Sequence, residues 1–191
     1  MPSESTGKLM VISGPAGAGK STVIKQVFTR CKRPLVFSVS ATTRSPRPGE
    51  VDGREYHFLS PEEFQRRRRD GEFLECFEVF GRGHWYGTLW SEVTPSLEAG
   101  KWVVLEVDVD GAMAVMERFS QAITIFVRPR SIDVLQQRLE ARGTEQPAEI
   151  ERRLEVARHE MTFSERYQYQ VVNDNVDDAV DRICQILEAD V

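Results

Sequence analysis

Two periods of apolar residues alternate along this chain. Short, mostly apolar runs lie near residues 8–13, 36–40, 102–107, 122–127 and 169–172, and such runs suit buried strands. Between and after them apolar residues recur at helical spacing, first at Val23, Ile24, Val27 and Phe28, then at Ile132, Leu135 and Leu139, and last at Val176, Ala179, Val180, Ile183 and Leu187. Ser131 stands as the N-cap of the second helix and Gly143 as its stop. Asp177 and Asp178 sit at the positive end of the third, which is expected to pack on the sheet. Strands alternating with helices predict an α/β fold, a parallel sheet flanked by helices.

The rhythm breaks between about 41 and 90, where Pro46, Pro48, Gly49, Gly53, Gly71, Gly81, Gly83 and Gly87 punctuate short strand-like pieces. That insertion is where a second substrate is expected. Inside it, Ser60-Pro61-Glu62-Glu63-Phe64 reads as a capped helix start with two acids in the first turn. Arg66, Arg67, Arg68 and Arg69 then fall near the helix's C-terminal end, where the dipole favours cations, and are read as that rather than as a nucleic-acid patch.

Gly14-Pro15-Ala16-Gly17-Ala18-Gly19-Lys20-Ser21 follows the apolar run Leu9-Met10-Val11-Ile12 and has the spacing G-x-x-x-x-G-K-S. The glycines let the backbone close into a nest whose N–H groups point at phosphate oxygens, and the helix starting near Lys20 adds its positive end. In such a loop the lysine reaches the β- and γ-phosphates and the serine hydroxyl serves Mg²⁺. The segment, continued by Thr22, ties the chain to a nucleoside triphosphate; the plain alternative is a glycine-rich turn without ligand.

Composition narrows the class. A chain of 191 residues, 40% hydrophobic and 29% charged, is long enough for one α/β core with a subdomain and too short for two large domains. Its net charge of -5 argues against a general nucleic-acid binder, so local basic clusters must do any phosphate work. Cys31, Cys76 and Cys184 are far apart and form no C-x-x-C pair, so reduced thiols in a cytosol are expected. Met1 to Lys8 is short and polar, and no segment that targets or spans a membrane is expected. His57, His84 and His159 show no zinc-ligand spacing.

The run Ser40-Ala41-Thr42-Thr43-Arg44-Ser45-Pro46-Arg47-Pro48-Gly49-Glu50-Val51-Asp52-Gly53-Arg54-Glu55-Tyr56-His57-Phe58 closely resembles the guanylate kinase signature T-T-R-x-P-R-x-G-E-x-x-G-x-x-Y-x-F. Arg44 and Arg47, three apart on a proline-stiffened loop, can face one phosphate dianion with planar forks, and the resemblance adds Ser40 and the Tyr56 phenol to the site for GMP. Solvated loop charges are the bland alternative for the two arginines. Phe73-Leu74-Glu75 resembles the segment whose glutamate reads guanine, Tyr86-Gly87-Thr88 the Y-G-[ST] step, and Val107-Asp108-Val109-Asp110-Gly111 the acidic element at a strand end. The resemblance therefore implies that Glu75 recognises the base, with Tyr86, Thr88 and Asp108 in support. A carboxylate pairs with guanine N1–H and its 2-amino group, whereas adenine would leave it facing a lone pair.

The chain departs from the family pattern at three places. The segment 76–85 is about two residues longer than is common, with the extra length expected in the Gly81 to Gly83 turn; Glu106 stands where aspartate is frequent; and Asp110 stands where glutamine is frequent. Ala16 replaces a frequent serine. Arg138, Arg142-Gly143-Thr144-Glu145 and Arg153 resemble the family's lid, whose arginines close over the triphosphate, and Asn173 resembles its adenine-side contact. Pairing of any one arginine with Glu149 or Glu155 on the helix surface remains the alternative, and Arg152 is read as a solvated neighbour.

The resemblance covers Lys8 to about Leu187. It implies a single phosphate-loop domain over 1–191, with 1–40 and 89–191 as core, 41–88 as a mixed α/β GMP-binding subdomain and 138–158 as a short helical lid. It further implies transfer of the γ-phosphoryl group of Mg-ATP to GMP by a cytoplasmic monomer or homodimer, without a nucleic-acid or membrane partner. Lys20, Arg44, Arg138, Arg142 and Arg153 would be catalytic. A non-catalytic guanylate-kinase-like interaction module and a phosphate-loop kinase for another acceptor are the rival readings; an intact Lys20 and Ser21 oppose the first, and the set Arg44, Arg47, Tyr56 and Glu75 opposes the second.

Overall fold

A computed structural model of the protein describes residues 7–79, 83–141 and 146–189. In chain order its elements are β1 (Leu9–Ser13), α1 (Lys20–Arg30), β2 (Leu35–Phe37), β3 (Ala41–Thr42), β4 (His57–Phe58), α2 (Pro61–Arg69), β5 (Phe73–Val79), β6 (His84–Leu89), α3 (Trp90–Glu98), β7 (Trp102–Glu106), α4 (Val109–Arg118), β8 (Ile123–Arg128), α5 (Ile132–Ala141), α6 (Pro147–Met161), β9 (Tyr169–Val172) and α7 (Val176–Ala189). The larger sheet has the hydrogen-bonded order β2-β7-β1-β8-β9. Its β2–β7 and β8–β9 pairs are parallel, with Leu35 opposite Trp102 and Ile125 opposite Tyr169. All five residues of β1 are buried, the apolar Leu9 to Ile12 and the polar Ser13 alike, as expected of a strand inside such a sheet.

One strand is shorter than its apolar run. The strand expected over 36–40 ends at Phe37. The Ser38 N–H still reaches the carbonyl of Val104 at 3.0 Å, but the Val39 N–H donates to the Glu92 carboxylate at 3.3 Å. A side-chain acceptor thus replaces the ladder at the entry to the 41–90 insertion.

The chain divides into two compact units, which within the described residues are 7–10, 34–105 and 110–122 for the first and 11–33, 106–109 and 123–189 for the second. The first holds a mixed four-stranded sheet, order β4-β3-β6-β5. Here β3 runs parallel to β4 and antiparallel to β6, and β5 and β6 form an antiparallel pair with Glu75 opposite Thr88. The start of α2 is capped as expected: Ser60 Oγ accepts from the Glu63 N–H at 3.1 Å, and Pro61 occupies the first turn. Arg66 pairs with Glu63 and Asp70, each at 2.8 Å, and Arg67 with Glu63 at 2.7 Å, so both arginines serve their own helix. Phe64 from α2 stacks on Phe73 with ring centroids 4.4 Å apart, in a core shared with Ala41 and Leu89.

In the second unit, Ser131 Oγ accepts from the Val134 N–H at 3.3 Å and so caps α5 as its spacing predicts; Gly143, its expected stop, lies outside the described residues. Leu135 and Leu139 of α5 pack with Leu154 and Ala157 of α6. The apolar stripe of α7 is buried at Ala179, Val180, Ile183, Ile186 and Leu187. Arg30 at the end of α1 pairs with Asp177 at 2.8 Å and with Asp181 on α7.

The cysteine expectation is corrected here. Cys31 and Cys184 form a disulfide across 153 residues, and Cys76 alone is a free thiol. Cys31 caps the C-terminus of α1, and α7 lies alongside, so the fold brings together two residues that sequence distance separates. Among the described residues no helix is long and apolar enough to cross a membrane.

Phe64 fills the centre of the smaller core with no solvent exposure. Phe64→Ala should therefore lower the unfolding free energy by about 3–5 kcal/mol. Urea denaturation checks this; a loss below about 1 kcal/mol would mean that the core does not depend on that stack.

Candidate active site

The phosphate loop is shaped by what lies against it. Gly14 has φ +138°, and an added Cβ there would collide with the carbonyl oxygen of Val127 on β8. Gly19, at φ +87°, is the left-handed N-cap of α1, and its Cβ would come within 2.5 Å of Asn173 Nδ2. Both positions thus need glycine for conformation and for space. The Ala18 N–H closes a turn on the Pro15 carbonyl at 3.1 Å, and Asn173 Nδ2 donates to the Ala18 carbonyl at 2.7 Å.

Lys20 Nζ donates to the carbonyls of Gly14, at 2.6 Å, and Pro15, at 3.2 Å. The ammonium therefore lies across the mouth of the loop whose N–H groups it would assist. Burial pulls the Lys20 pKa below its ordinary value, and the carboxylates of Glu106, Glu160 and Asp108 oppose that shift. Phosphate oxygens would favour the charged form in the same way. Ser21 Oγ donates to Glu106 Oε1 at 2.7 Å. Ala16 and Thr22 are exposed and Pro15 is buried.

The residues expected around the triphosphate are only partly united. Arg138 Nη2 donates to the Asn173 carbonyl at 2.6 Å, which ties α5 to the residue after β9. Asn173 is buried, and its Oδ1 has no hydrogen-bond partner among the described residues. Arg153 lies on α6 beside Glu149 at 3.6 Å, and Arg152 pairs with the same carboxylate at 3.2 Å. Arg142 lies outside the described residues, as do Thr144 and Glu145.

The first unit carries the other constellation. Arg44 is held bidentately by Glu50, with Nη1 to Oε2 at 2.9 Å and Nη2 to Oε1 at 3.0 Å. Its Nε donates to the Tyr86 hydroxyl at 3.3 Å, and its guanidinium lies 5.3 Å from the centre of the Tyr56 ring. The Arg47 N–H donates to the same Glu50 carboxylate at 2.7 Å, while its side chain is exposed. Glu50 thus folds the Arg44–Glu50 loop into a turn that presents two guanidinium groups. Those bonds also raise the Arg44 pKa, and Arg44 followed by the Arg47 N–H lowers that of Glu50.

Glu75, only 7% exposed, accepts from Thr88 Oγ1 at 2.7 Å across the β5–β6 pair. Arg118 Nη1 donates to the Leu74 carbonyl at 2.6 Å and so anchors the strand one residue before Glu75. Ser40 contributes its carbonyl to the His57 N–H at 2.9 Å. Asp108, grouped with Glu75 by the resemblance, belongs to the unit of the phosphate loop, where its charge acts on Lys20.

Two contributors escaped the sequence: Glu160 as a carboxylate near Lys20, and Glu50 as the orienting group for Arg44. Glu106, which the sequence marked as standing where aspartate is frequent, is the partner of Ser21. Among the described residues no group of three or more His, Cys, Asp and Glu could hold a metal. Magnesium in phosphoryl-transfer sites needs only one or two protein oxygens beside phosphate and water, and Ser21 Oγ with the Glu106 carboxylate supplies such donors.

Because the folded pKa of Glu50 lies below its ordinary value of 4.5, its stabilising effect is present above the ordinary carboxylate range and is lost as pH falls through the lowered value. A carboxyl NMR titration should place the Glu50 midpoint below 4.5, and Arg44→Ala should move it back up. A midpoint indifferent to Arg44→Ala would contradict the pairing.

Comparison with known proteins bears on the whole chain. A family model described as guanylate kinase matches residues 6–190. A protein named guanylate kinase from Rhodopirellula baltica is 56% identical over 182 residues, spanning 95% of this chain and 87% of its own length. One of the same name from Thermotoga maritima is 46% identical over 184 residues, spanning 96% and 87%. The crystal structure of guanylate kinase from Anaplasma phagocytophilum superposes with a TM-score of 0.78 at 33% identity, covering 97% of this chain and 86% of that one.

Proposed function

The chain belongs to the guanylate kinase family, and from that premise we infer that it transfers the γ-phosphoryl group of ATP to GMP, giving ADP and GDP. The single observation that carries the choice of acceptor is the buried Glu75 carboxylate held by Thr88. A buried carboxylate accepting from N1–H and the 2-amino group satisfies guanine and leaves adenine with an unmet charge, a difference on the order of 10⁴ in such polar sites.

Arg44, Arg47 and Tyr56 hold the GMP phosphate in this reading, with Tyr86 supporting Arg44, Ser40 at the entry to the subdomain and Asp108 as a supporting contact. Gly14 to Thr22 hold the ATP phosphates, and the buried Oδ1 of Asn173 offers an acceptor on the adenine side. Lys20 neutralises charge on the transferring group, joined by Arg138, Arg142 and Arg153 of the lid at 138–158. No general base is required, because the attacking oxygen already belongs to an anionic phosphate; alignment, charge neutralisation and exclusion of water are the protein's tasks. Magnesium, when bound, would neutralise phosphate charge at the Ser21 hydroxyl with Glu106 as its outer support. The 41–88 segment acts as the acceptor subdomain. A reaction fed by ATP and GMP places the enzyme in the cytoplasm.

ADP formation from Mg-ATP with GMP, AMP, CMP and UMP tests the reaction. Activity should be confined to GMP among these and should fall by about 10² or more in Lys20→Ala. Equal turnover of AMP, or a folded protein inactive with all four acceptors, would overturn it. Glu50→Gln should raise KM for GMP about tenfold with a smaller change in kcat, the loss of one charge-assisted pair.

A further inference from the structure

The Cys31–Cys184 bond joins the two elements whose opposite ends build the donor-nucleotide cradle. Helix α1 begins with Lys20 and Ser21 in the phosphate loop and is capped at its far end by Cys31. The segment from β9 to α7 begins with Asn173, which donates to the loop at Ala18, and carries Cys184 in the second half of α7. Between the cradle and the sulfurs the same helices are tied by Arg30 to Asp177 and Asp181, and beyond the sulfurs Arg33 Nε donates to the Leu187 carbonyl at 3.1 Å. None of these contacts is covalent except the disulfide.

The bond is also reachable. Cys31 and Cys184 are each partly exposed and line an open pocket of about 230 Å³ together with Lys32, Arg33, Leu187 and Glu188. Lys32 and Arg33 outnumber the one carboxylate, Glu188, in this lining, and a net positive surrounding favours departure of a thiolate in an exchange reaction. An enzyme supplied with ATP and GMP works where thiols are kept reduced, and disulfides found there are generally redox-responsive.

We propose that Cys31–Cys184 is a thiol–disulfide exchange site, whose co-substrate is a small or protein dithiol, and that its oxidation state sets affinity for the donor nucleotide. One thiolate of the dithiol attacks a sulfur of the bond and expels the other cysteine as thiolate, forming a mixed disulfide. The second thiol of the reductant then displaces the first cysteine and leaves as a cyclic or protein disulfide. Two electrons and two protons pass to Cys31 and Cys184, which become thiols, and the dithiol is oxidised. The reducing surroundings and the effect on nucleotide affinity rest on the proposed ATP:GMP activity, whereas the thiol count that reads exchange does not depend on it.

The full-length protein is equilibrated in dithiothreitol buffers of graded redox poise, its free thiols are counted in denaturant, and KM for ATP and for GMP is measured at each poise. One thiol, Cys76, should be counted in the oxidised form and all three in the reduced form. Reduction should raise KM for ATP on the order of fivefold and leave KM for GMP unchanged. Cys184→Ser should show the high KM without response to reductant, and alkylation of the reduced wild type should reproduce it if that variant fails to fold. Three thiols under oxidising conditions, a bond that persists at the reducing end, or a KM for ATP indifferent to poise would each overturn the proposal. Absence of phosphoryl transfer at every poise would instead defeat the assigned activity, with exchange still read from the thiol count and donor affinity from equilibrium binding of ATP.

Discussion

Lys20 cannot serve a phosphate unless the loop around it stays folded when no phosphate is there. Its ammonium holds two loop carbonyls, those of Gly14 and Pro15. The arrangement demands glycine where β8 and Asn173 press closest, a carboxylate set that opposes the loss of charge by a half-buried lysine, and a helix directly after the loop. Each of these is a separate feature of the second unit, and each follows from one requirement: a preorganised cation in a place largely shielded from water.

The first unit solves the corresponding problem for guanidinium groups and a carboxylate. Arg44 is oriented by Glu50 and Tyr86, and a guanidinium held by its own loop carries less ordering cost on binding. Glu75 is buried and accepts from the Thr88 hydroxyl, so the fold supplies the carboxylate with a hydrogen-bond donor in place of water.

Local signals were legible and distant pairings were not. The phosphate loop, the Ser60 and Ser131 caps and the α7 stripe depend on residues within a few positions of one another, and all four stand in the structure as their patterns predict. Glu106 meets Ser21 across 85 positions, and Cys31 meets Cys184 across 153, with no periodicity to announce either. Glu50 lay in plain view three residues after Arg47, but a motif names a residue without saying that it is another residue's partner. The early end of β2 was hidden for the same reason, because Glu92 competes for the Val39 N–H from a helix more than fifty residues away.

The central claim is that a guanine base is read by Glu75. Isothermal titration calorimetry of GMP and AMP, each against wild type and Glu75→Gln, tests it without requiring turnover. Measurable binding of GMP to wild type is expected, with none of AMP at the same concentrations and a loss of about tenfold or more for GMP in the variant. Equal affinity of wild type for both nucleotides, or unchanged GMP binding by Glu75→Gln, would contradict it.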